Sequence, residues 1–188
     1  MRVSQSNPSI LKMETKNKIV TDYKKLAELI NAHKTLGNKI VCTIGSWDML
    51  HIGHLRYLNK AKQQGDILIV GVDSDKAIKI YKKNPLRPVI PEEERMEMLS
   101  YQHFVDYVTL IDDVDEEGNW EMTILKQMSP DVFVAIEESY PKEQREKIEK
   151  LCGEIKLLER QAENTSTSDI IEKTFKKRLE YILSNIKL

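Results

Sequence analysis

Apolar residues rich in Val and Ile cluster along the chain in five short blocks: Lys39–Ile44, Ile67–Val72, Val105–Ile111, Asp131–Ile136 and Glu154–Leu158. Runs of this length without polar alternation predict strands covered on both faces. Between them, apolar positions recur with helical spacing over His51–Gln64, Ser74–Tyr81, Pro91–Tyr101, Trp120–Met128 and Pro141–Cys152. Strands alternating with helices require crossovers that leave neighbouring strands parallel. The pattern therefore predicts an α/β protein, a five-stranded parallel sheet between two helical layers.

Two further helices flank this block. Asp22–Thr35 carries a stripe through Leu26, Ala27, Ile30 and Leu36, which predicts a cover packed on the sheet. Ser168–Ile186 repeats the pattern with Ile170, Ile171, Phe175, Leu179, Ile182, Leu183 and Ile186, while Lys173, Lys176, Lys177 and Arg178 lie mainly off that stripe. Such a helix either closes the fold or pairs two copies of the chain as a homodimer. Residues 1–17 lack periodicity and read as a mobile tail, leaving 18–188 as a single domain. The acidic run Asp112–Glu117 reads as a solvated loop after the third strand.

Composition narrows the function by exclusion. The 188 residues, 40% of them hydrophobic, are enough for one core and too few for two full domains. With 29 Lys and Arg against 30 Asp and Glu, the formal net charge is −1. That balance argues against nucleic-acid and membrane-surface binding, which rely on surplus positive charge. The longest apolar run, Ile67–Val72, falls far short of the roughly 20 residues of a membrane span. The first residues lack the apolar block of a secretory signal, so the cytoplasm is the expected compartment. Cys42 and Cys152 are too few for a disulfide framework and read as reduced, Cys42 in a buried strand.

The chemistry concentrates after the first strand, where the chain reads Gly45-Ser46-Trp47-Asp48-Met49-Leu50-His51-Ile52-Gly53-His54 and then turns helical. In an open α/β sheet, ligands bind beyond the carboxyl ends of the strands, and the following helix offers free N–H groups to an anion. Gly45 and Gly53 permit close backbone approach to a phosphate. His51 and His54, one helical turn apart, can both face it. The same pair could instead cap and pack, or hold zinc. No third His, Cys or carboxylate stands at ligand spacing, so no protein metal site is expected.

This segment resembles the His-x-Gly-His signature of the nucleotidyltransferase superfamily, in its cytidylyltransferase-like branch. Within that branch the chain is most similar to the adenylyltransferase domain that activates heptose 1-phosphate, with glycerol-3-phosphate cytidylyltransferase second. The resemblance runs from about Lys18 to Lys173. It takes in Lys18-Ile19-Val20-Thr21, the signature loop, Val70-Gly71-Val72-Asp73-Ser74-Asp75, Arg87-Pro88-Val89 leading into Glu93-Glu94-Arg95, and Thr165-Ser166-Thr167-Ser168 before a helix. It implies a three-layer α/β/α Rossmann-like nucleotidyltransferase fold. The implied reaction is attack of an acceptor phosphate on the α-phosphorus of a nucleoside triphosphate, with loss of pyrophosphate.

By this resemblance His51, His54 and Lys83 are the catalytic residues. Gly45, Ser46, Trp47, Asp48 and Gly53, with Ser166, Thr167 and Ser168, bind the nucleotide, and family members carry Phe where this chain has Trp47. Arg87 and Arg95 steer the acceptor phosphate, although an ion pair with an acidic neighbour explains Arg95 equally well. Mg²⁺ is the implied cofactor, held mainly by phosphates, with Asp48 as a candidate protein contact. Asp73 and Asp75 read as turn and cap residues.

One stretch departs from the heptose branch, which has Lys-Gly-Gly/Ala-Asp-Tyr after its fourth strand. Here the chain reads Val134-Ala135-Ile136-Glu137-Glu138-Ser139-Tyr140. Its carboxylates suit sugar hydroxyls or an amine better than a phosphate. The glycerol-phosphate enzyme's Arg-Thr-Glu-Gly-Ile-Ser-Thr-Thr run is also broken, at Arg160 and Asn164, which ranks ATP above CTP. The expected activity is condensation of a nucleoside triphosphate with a phosphorylated sugar or polyol. A CTP-dependent enzyme and a non-catalytic nucleotide-binding module are the alternatives.

Overall fold

The computed structural model describes residues 15, 17–163 and 165–186; the expected N-terminal tail falls almost wholly outside them. The elements run α1 (Tyr23–Thr35), β1 (Ile40–Gly45), α2 (Ile52–Lys62), β2 (Ile67–Asp73), α3 (Asp75–Lys82), α4 (Glu92–Ser100) and β3 (Tyr107–Ile111). They continue through α5 (Thr123–Met128), β4 (Val132–Ile136), a 3-10 turn at Glu137–Ser139, α6 (Lys142–Glu149), β5 (Glu154–Leu158) and α7 (Thr167–Asn185). The five strands form one parallel sheet in the order β3-β2-β1-β4-β5. The expected α/β architecture is what the chain adopts.

Alternate residues of each strand feed two cores. Ile40, Cys42, Ile69, Ile111, Phe133 and Ala135 face Leu26 and Ile30 of α1 and Leu125 of α5. Val41, Leu68, Val70, Val72, Val132 and Val134 face Tyr57 and Leu58 of α2 and Leu99 of α4. At roughly 1.5–3 kcal/mol for each large apolar side chain buried, these two layers carry the folding energy. Asp22 caps α1 by accepting from the amides of Lys24 and Lys25, and Ser74 caps α3 through the amide of Ala77.

Three departures from the sequence reading have local causes. The third strand starts at Tyr107, because the carboxylate of Asp106 accepts from the amide of Leu68 and from Lys62, diverting the chain at that point. The helix expected from Trp120 starts at Thr123. Trp120 pairs with Val114 in an isolated bridge, and Met122 is left-handed at φ 59°. β5 is an edge strand, largely exposed and not covered on both faces.

The acidic loop is only partly a solvated one. Half-buried Asp113 accepts from the Trp120 indole at 2.9 Å and from the amide of Thr123 at 2.7 Å. α7 lies with most of its length exposed, Phe175 at 68% and Leu183 at 60%, and only Ile170 and Ile171 at the start of the stripe are partly covered. Among the described residues no helix is long and apolar enough to cross a membrane.

Candidate active site

From β1 the chain builds outward one way to β2 and β3, then returns to lay β4 and β5 on the other side. β1 and β4 are therefore the strands between which the sheet order reverses. Their ladder is short, Val41 opposite Val132 and Cys42 opposite Phe133, whereas β1 and β2 stay paired from Ile40 to Gly45. The carboxyl ends of β1 and β4 diverge and open a crevice at the position where doubly wound sheets bind ligands. A cavity of about 810 Å³ occupies it, lined from the segments that follow all five strands.

The loop after β1 is held from below. Trp47 and Met49 both take φ 51°. The indole of Trp47 is 5% exposed and donates to the carbonyl of Gly71 at 2.8 Å, so the ring is fixed as part of the core at the back wall of the cavity, which it helps to line. Asp48 is fully buried. Its two oxygens accept from Arg87 Nε at 2.6 Å, from the amide of Val89 at 2.9 and 3.1 Å, and from the amide of Ile90 at 2.9 Å. With both oxygens so engaged, Asp48 fastens the two loops and is not available to a metal ion, which corrects the proposed contact. No set of three His, Cys, Asp or Glu side chains among the described residues could hold a cation.

The two imidazoles stand together, ring centroids 3.8 Å apart and planes 24° apart, and both line the cavity. His51 is the N-cap of α2, and its Nδ1 accepts from the amide of Gly53 at 3.2 Å. That bond fixes the tautomer: the neutral ring carries its proton on Nε2, which becomes a donor. Burial lowers the His51 pKa. Burial first, then His51 and Arg87, lower that of His54 to about 3, so His54 is neutral at physiological pH. Its Nδ1 is buried without a partner among the described residues. A Cβ on Gly53 would lie 3.0 Å from both the His51 ring and Ala162, so glycine lets cap and loop close together.

Cations line the same cavity: Lys82, Arg87 and Arg160. Burial, Arg87 and Arg160 all lower the Lys82 pKa, while Asp73 opposes them. Lys83, the lysine expected from the sequence, is exposed and left-handed at the C-cap of α3, and is not among the cavity-lining residues. Its neighbour Lys82, four residues after buried Ile78 and on the same helical face, takes that position.

The α7 terminus completes the wall with Thr165, Ser166, Thr167 and Ser168. Ser166 caps the helix through the amide of Asp169, and Thr167 donates to the carbonyl of Asp48 at 2.7 Å. Those two hydroxyls are structural. The hydroxyls of Thr165 and Ser168 make no hydrogen bond among the described residues, and they sit where the helix dipole is positive.

Arg95 lies outside the cavity lining. It is 0% exposed, and its guanidinium donates to the carbonyls of Ile90 and Ser46 and to Asp75. It braces the loops after β1 and β2 against the start of α4 and does not reach the cavity, so it cannot steer an acceptor phosphate. The ion-pair alternative holds, and Asp75 is its partner.

Asp73, read from sequence as a turn or cap residue, is neither. Its carboxylate lines the cavity and accepts from the Tyr81 hydroxyl at 2.7 Å. Trp120 and Tyr140 line the same end. The sequence reading missed Tyr81, Lys82, Trp120 and Tyr140 as cavity residues. The helical spacing from Ile78 marked Tyr81 and Lys82; nothing local marked the other two.

The family described as cytidylyltransferase-like matches residues 42–181. Bifunctional protein HldE of Geotalea uraniireducens is 34% identical over 150 residues, covering 79% of this chain and 29% of that protein. HldE of Helicobacter pylori is 36% identical over 171 residues, covering 91% and 32%. The chain thus spans about a third of the length of these curated relatives. Among solved structures, a lipopolysaccharide core biosynthesis protein from Thermoplasma volcanium superposes with a TM-score of 0.52 at 27% identity, covering 65% of this chain and 98% of that one. Pantoate-beta-alanine ligase from Francisella tularensis superposes with a TM-score of 0.52 at 16% identity, covering 84% and 76%, a likeness of fold alone.

Proposed function

The chain belongs to the cytidylyltransferase-like family, and from that premise we propose that it joins a nucleoside triphosphate, ATP ahead of CTP, to a phosphorylated sugar such as a heptose 1-phosphate. An acceptor phosphate oxygen forms a bond to the α-phosphorus. The bond from that phosphorus to the oxygen bridging the β-phosphate breaks, and pyrophosphate leaves. The acceptor phosphate, with a second pKa near 6, is mostly dianionic at pH 7 and needs no general base. The protein's task is to hold two anions together and to stabilise the negative charge spreading over the α-phosphate.

The observation that carries the reading is the stacked His51–His54 pair facing the same cavity as Lys82, Arg87 and the start of α7. His51, its tautomer fixed by the Gly53 amide, donates from Nε2 to the triphosphate. His54 follows the charge on the α-phosphate. The open N-terminus of α7, with Ser168 and the backbone of Gly45 and Ser46, cradles phosphate oxygens. Lys82 and Arg87 neutralise charge on the reacting phosphates. Trp47 supports His54 from behind, the two rings meeting edge-on at 5.5 Å. Nucleotidyltransferases generally use a divalent metal; Mg²⁺ would here be held mainly by the substrate phosphates and would neutralise their charge, because both oxygens of Asp48 are engaged by Arg87, Val89 and Ile90.

The test is pyrophosphate release from each nucleoside triphosphate with a panel of sugar phosphates, against a His54→Ala control. Losing one donor to developing charge costs about 10²–10³ in kcat. Release confined to one nucleotide and one class of sugar phosphate, and abolished in the control, is the expected result. No pyrophosphate above the control in any combination would refute the proposal.

A further inference from the structure

Along one side the cavity is cationic, and past Lys82, whose charge is felt by both Arg87 and Asp73, it reaches an end that the proposed function leaves without a role. Its cationic end takes a triphosphate. The other end lies over the opposite face of the sheet, the face bearing Ile44, Ile111 and Ala135, and it contains a carboxylate and aromatic rings. A polyphosphate is repelled by a carboxylate, so this end calls for a different occupant. A purely apolar occupant is equally unsuitable, because it would desolvate the Asp73 carboxylate and leave its second oxygen without a donor.

Asp73 is fixed but unsaturated. Tyr81 donates to Oδ2 at 2.7 Å, and Oδ1 takes no hydrogen bond from the described residues. Burial raises the Asp73 pKa; the Tyr81 hydrogen bond and the charges of Arg95 and Lys82 oppose that rise, and Asp113 adds to it. Such a group is stabilised by neutral O–H donors supplied from the cavity.

The rings beside it are immobilised at their polar ends. The Trp120 indole is tied to Asp113 at 2.9 Å, and the Tyr140 hydroxyl donates to the Ile44 carbonyl at 3.3 Å. Both also pack on Phe133, centroids 6.3 and 5.8 Å away. Their remaining surface forms a rigid apolar wall with a hydroxyl acceptor at its edge. That combination fits a sugar ring, which has an apolar C–H face and a rim of hydroxyl donors. It fits a short open-chain polyol less well, having little flat surface to offer the wall.

We propose that this end is the acceptor's sugar subsite, with Asp73 Oδ1 accepting from a ring hydroxyl and Trp120 and Tyr140 supporting the ring face. The acceptor class is accordingly a cyclic sugar phosphate, in preference to glycerol 3-phosphate. This rests on the nucleotidyltransferase reading and adds Asp73 as the residue that sets acceptor specificity. Tyr81 is a positioning residue that holds the Asp73 carboxylate in place.

The experiment compares wild type with Asp73→Asn and Tyr81→Phe, using as acceptors glucose 1-phosphate, mannose 1-phosphate, a heptose 1-phosphate and glycerol 3-phosphate. The best cyclic acceptor is then replaced by its monodeoxy series. ATP binding is followed separately by calorimetry, and folding by thermal unfolding. Asp73→Asn should raise KM for the cyclic acceptor roughly ten- to a hundredfold while leaving the affinity for ATP unchanged. Wild type should discriminate against one deoxy sugar by about the same factor, and Asp73→Asn should not. Tyr81→Phe should raise the acceptor KM by a smaller factor.

A cyclic-acceptor KM unchanged in folded Asp73→Asn, the same deoxy discrimination in both proteins, or preference for glycerol 3-phosphate would each overturn the subsite and leave the enzymatic reading standing. Absence of both ATP binding and pyrophosphate release would overturn the enzymatic reading, and the subsite with it.

Discussion

Asp48→Asn isolates the pairing that holds the catalytic loop. Asp48 is 0% exposed and its partner Arg87 7%. Three donors converge on the carboxylate: Arg87 Nε and the amides of Val89 and Ile90. An amide in its place turns one acceptor into an N–H that faces donors, and it leaves a buried guanidinium without its counter-charge. Breaking a buried pair from one side typically costs about 3–5 kcal/mol. For a domain of this size each kcal/mol moves the melting temperature by about 2–4 °C, so Tm should fall by about 6–20 °C. Thermal unfolding by circular dichroism measures this, with Arg87→Met and the double variant closing a cycle. Arg87→Met leaves Asp48 its two amide donors and should cost less. The double variant should be more stable than the two single losses added together, by about 0.5–3 kcal/mol. If Asp48 instead contacted Mg²⁺, Asp48→Asn would melt near wild type while its activity demanded far more Mg²⁺. That result, or strictly additive losses, would refute the assignment of Asp48 as a loop fastener.

Two other outcomes follow from the site geometry. Lys82→Ala should lower kcat/KM about tenfold or more, and Lys83→Ala should stay within about twofold, since only Lys82 lines the cavity; steady-state kinetics that reverse this order would show Lys83 moving in on binding. His54, lowered to about 3 when folded, binds fewer protons than its unfolded form, whose pKa is near 6.5. Its linkage therefore leaves stability unaffected above about pH 6.5 and erodes it as pH falls toward 3. Melting curves between pH 7 and 4 should show a decline that is shallower in His54→Gln, and equal slopes would contradict the shift.

The parallel sheet was legible because four of its strands are dominated by apolar residues with at most a single threonine between them, and such runs spaced by helices admit few other folds. β5 was legible in position but not in burial: Glu154, Lys156 and Leu157 are exposed on an edge strand, and nothing in a five-residue pattern says which strand lies outermost. The His51–His54 pair could be found because its neighbours in sequence are its neighbours in space. Arg95 and Asp48 could not be assigned that way. A buried charge takes its role from partners that the fold brings in from elsewhere, Asp75 and Ser46 for Arg95, Arg87 for Asp48. Lys83 was misplaced by one residue because the left-handed turn at the end of α3 puts it beyond the helical face that carries Lys82. Trp120 and Tyr140 come from separate loops that meet only after β4 lies beside β1.

The two arginines at the cationic end differ in what it takes to move them. Arg87 is locked to Asp48 in a buried pair and can offer a ligand only the guanidinium nitrogens that Asp48 leaves free. Arg160 pairs with Glu138 at 2.7 Å across the cavity mouth, but these side chains are 61% and 66% exposed. An exposed pair of this kind holds about 0–1 kcal/mol, which a phosphate binding both guanidinium edges readily exceeds. Transfer of Arg160 from Glu138 to an incoming polyphosphate is therefore nearly free, whereas any rearrangement of Arg87 would dismantle the loop that carries His51. It follows that pre-organisation resides in the β1 loop and adaptation resides in the segment between β5 and α7. Under the proposed reaction this division would place the leaving pyrophosphate toward Arg160 and the start of α7, the α-phosphorus beside His54, and the acceptor on the side of Asp73.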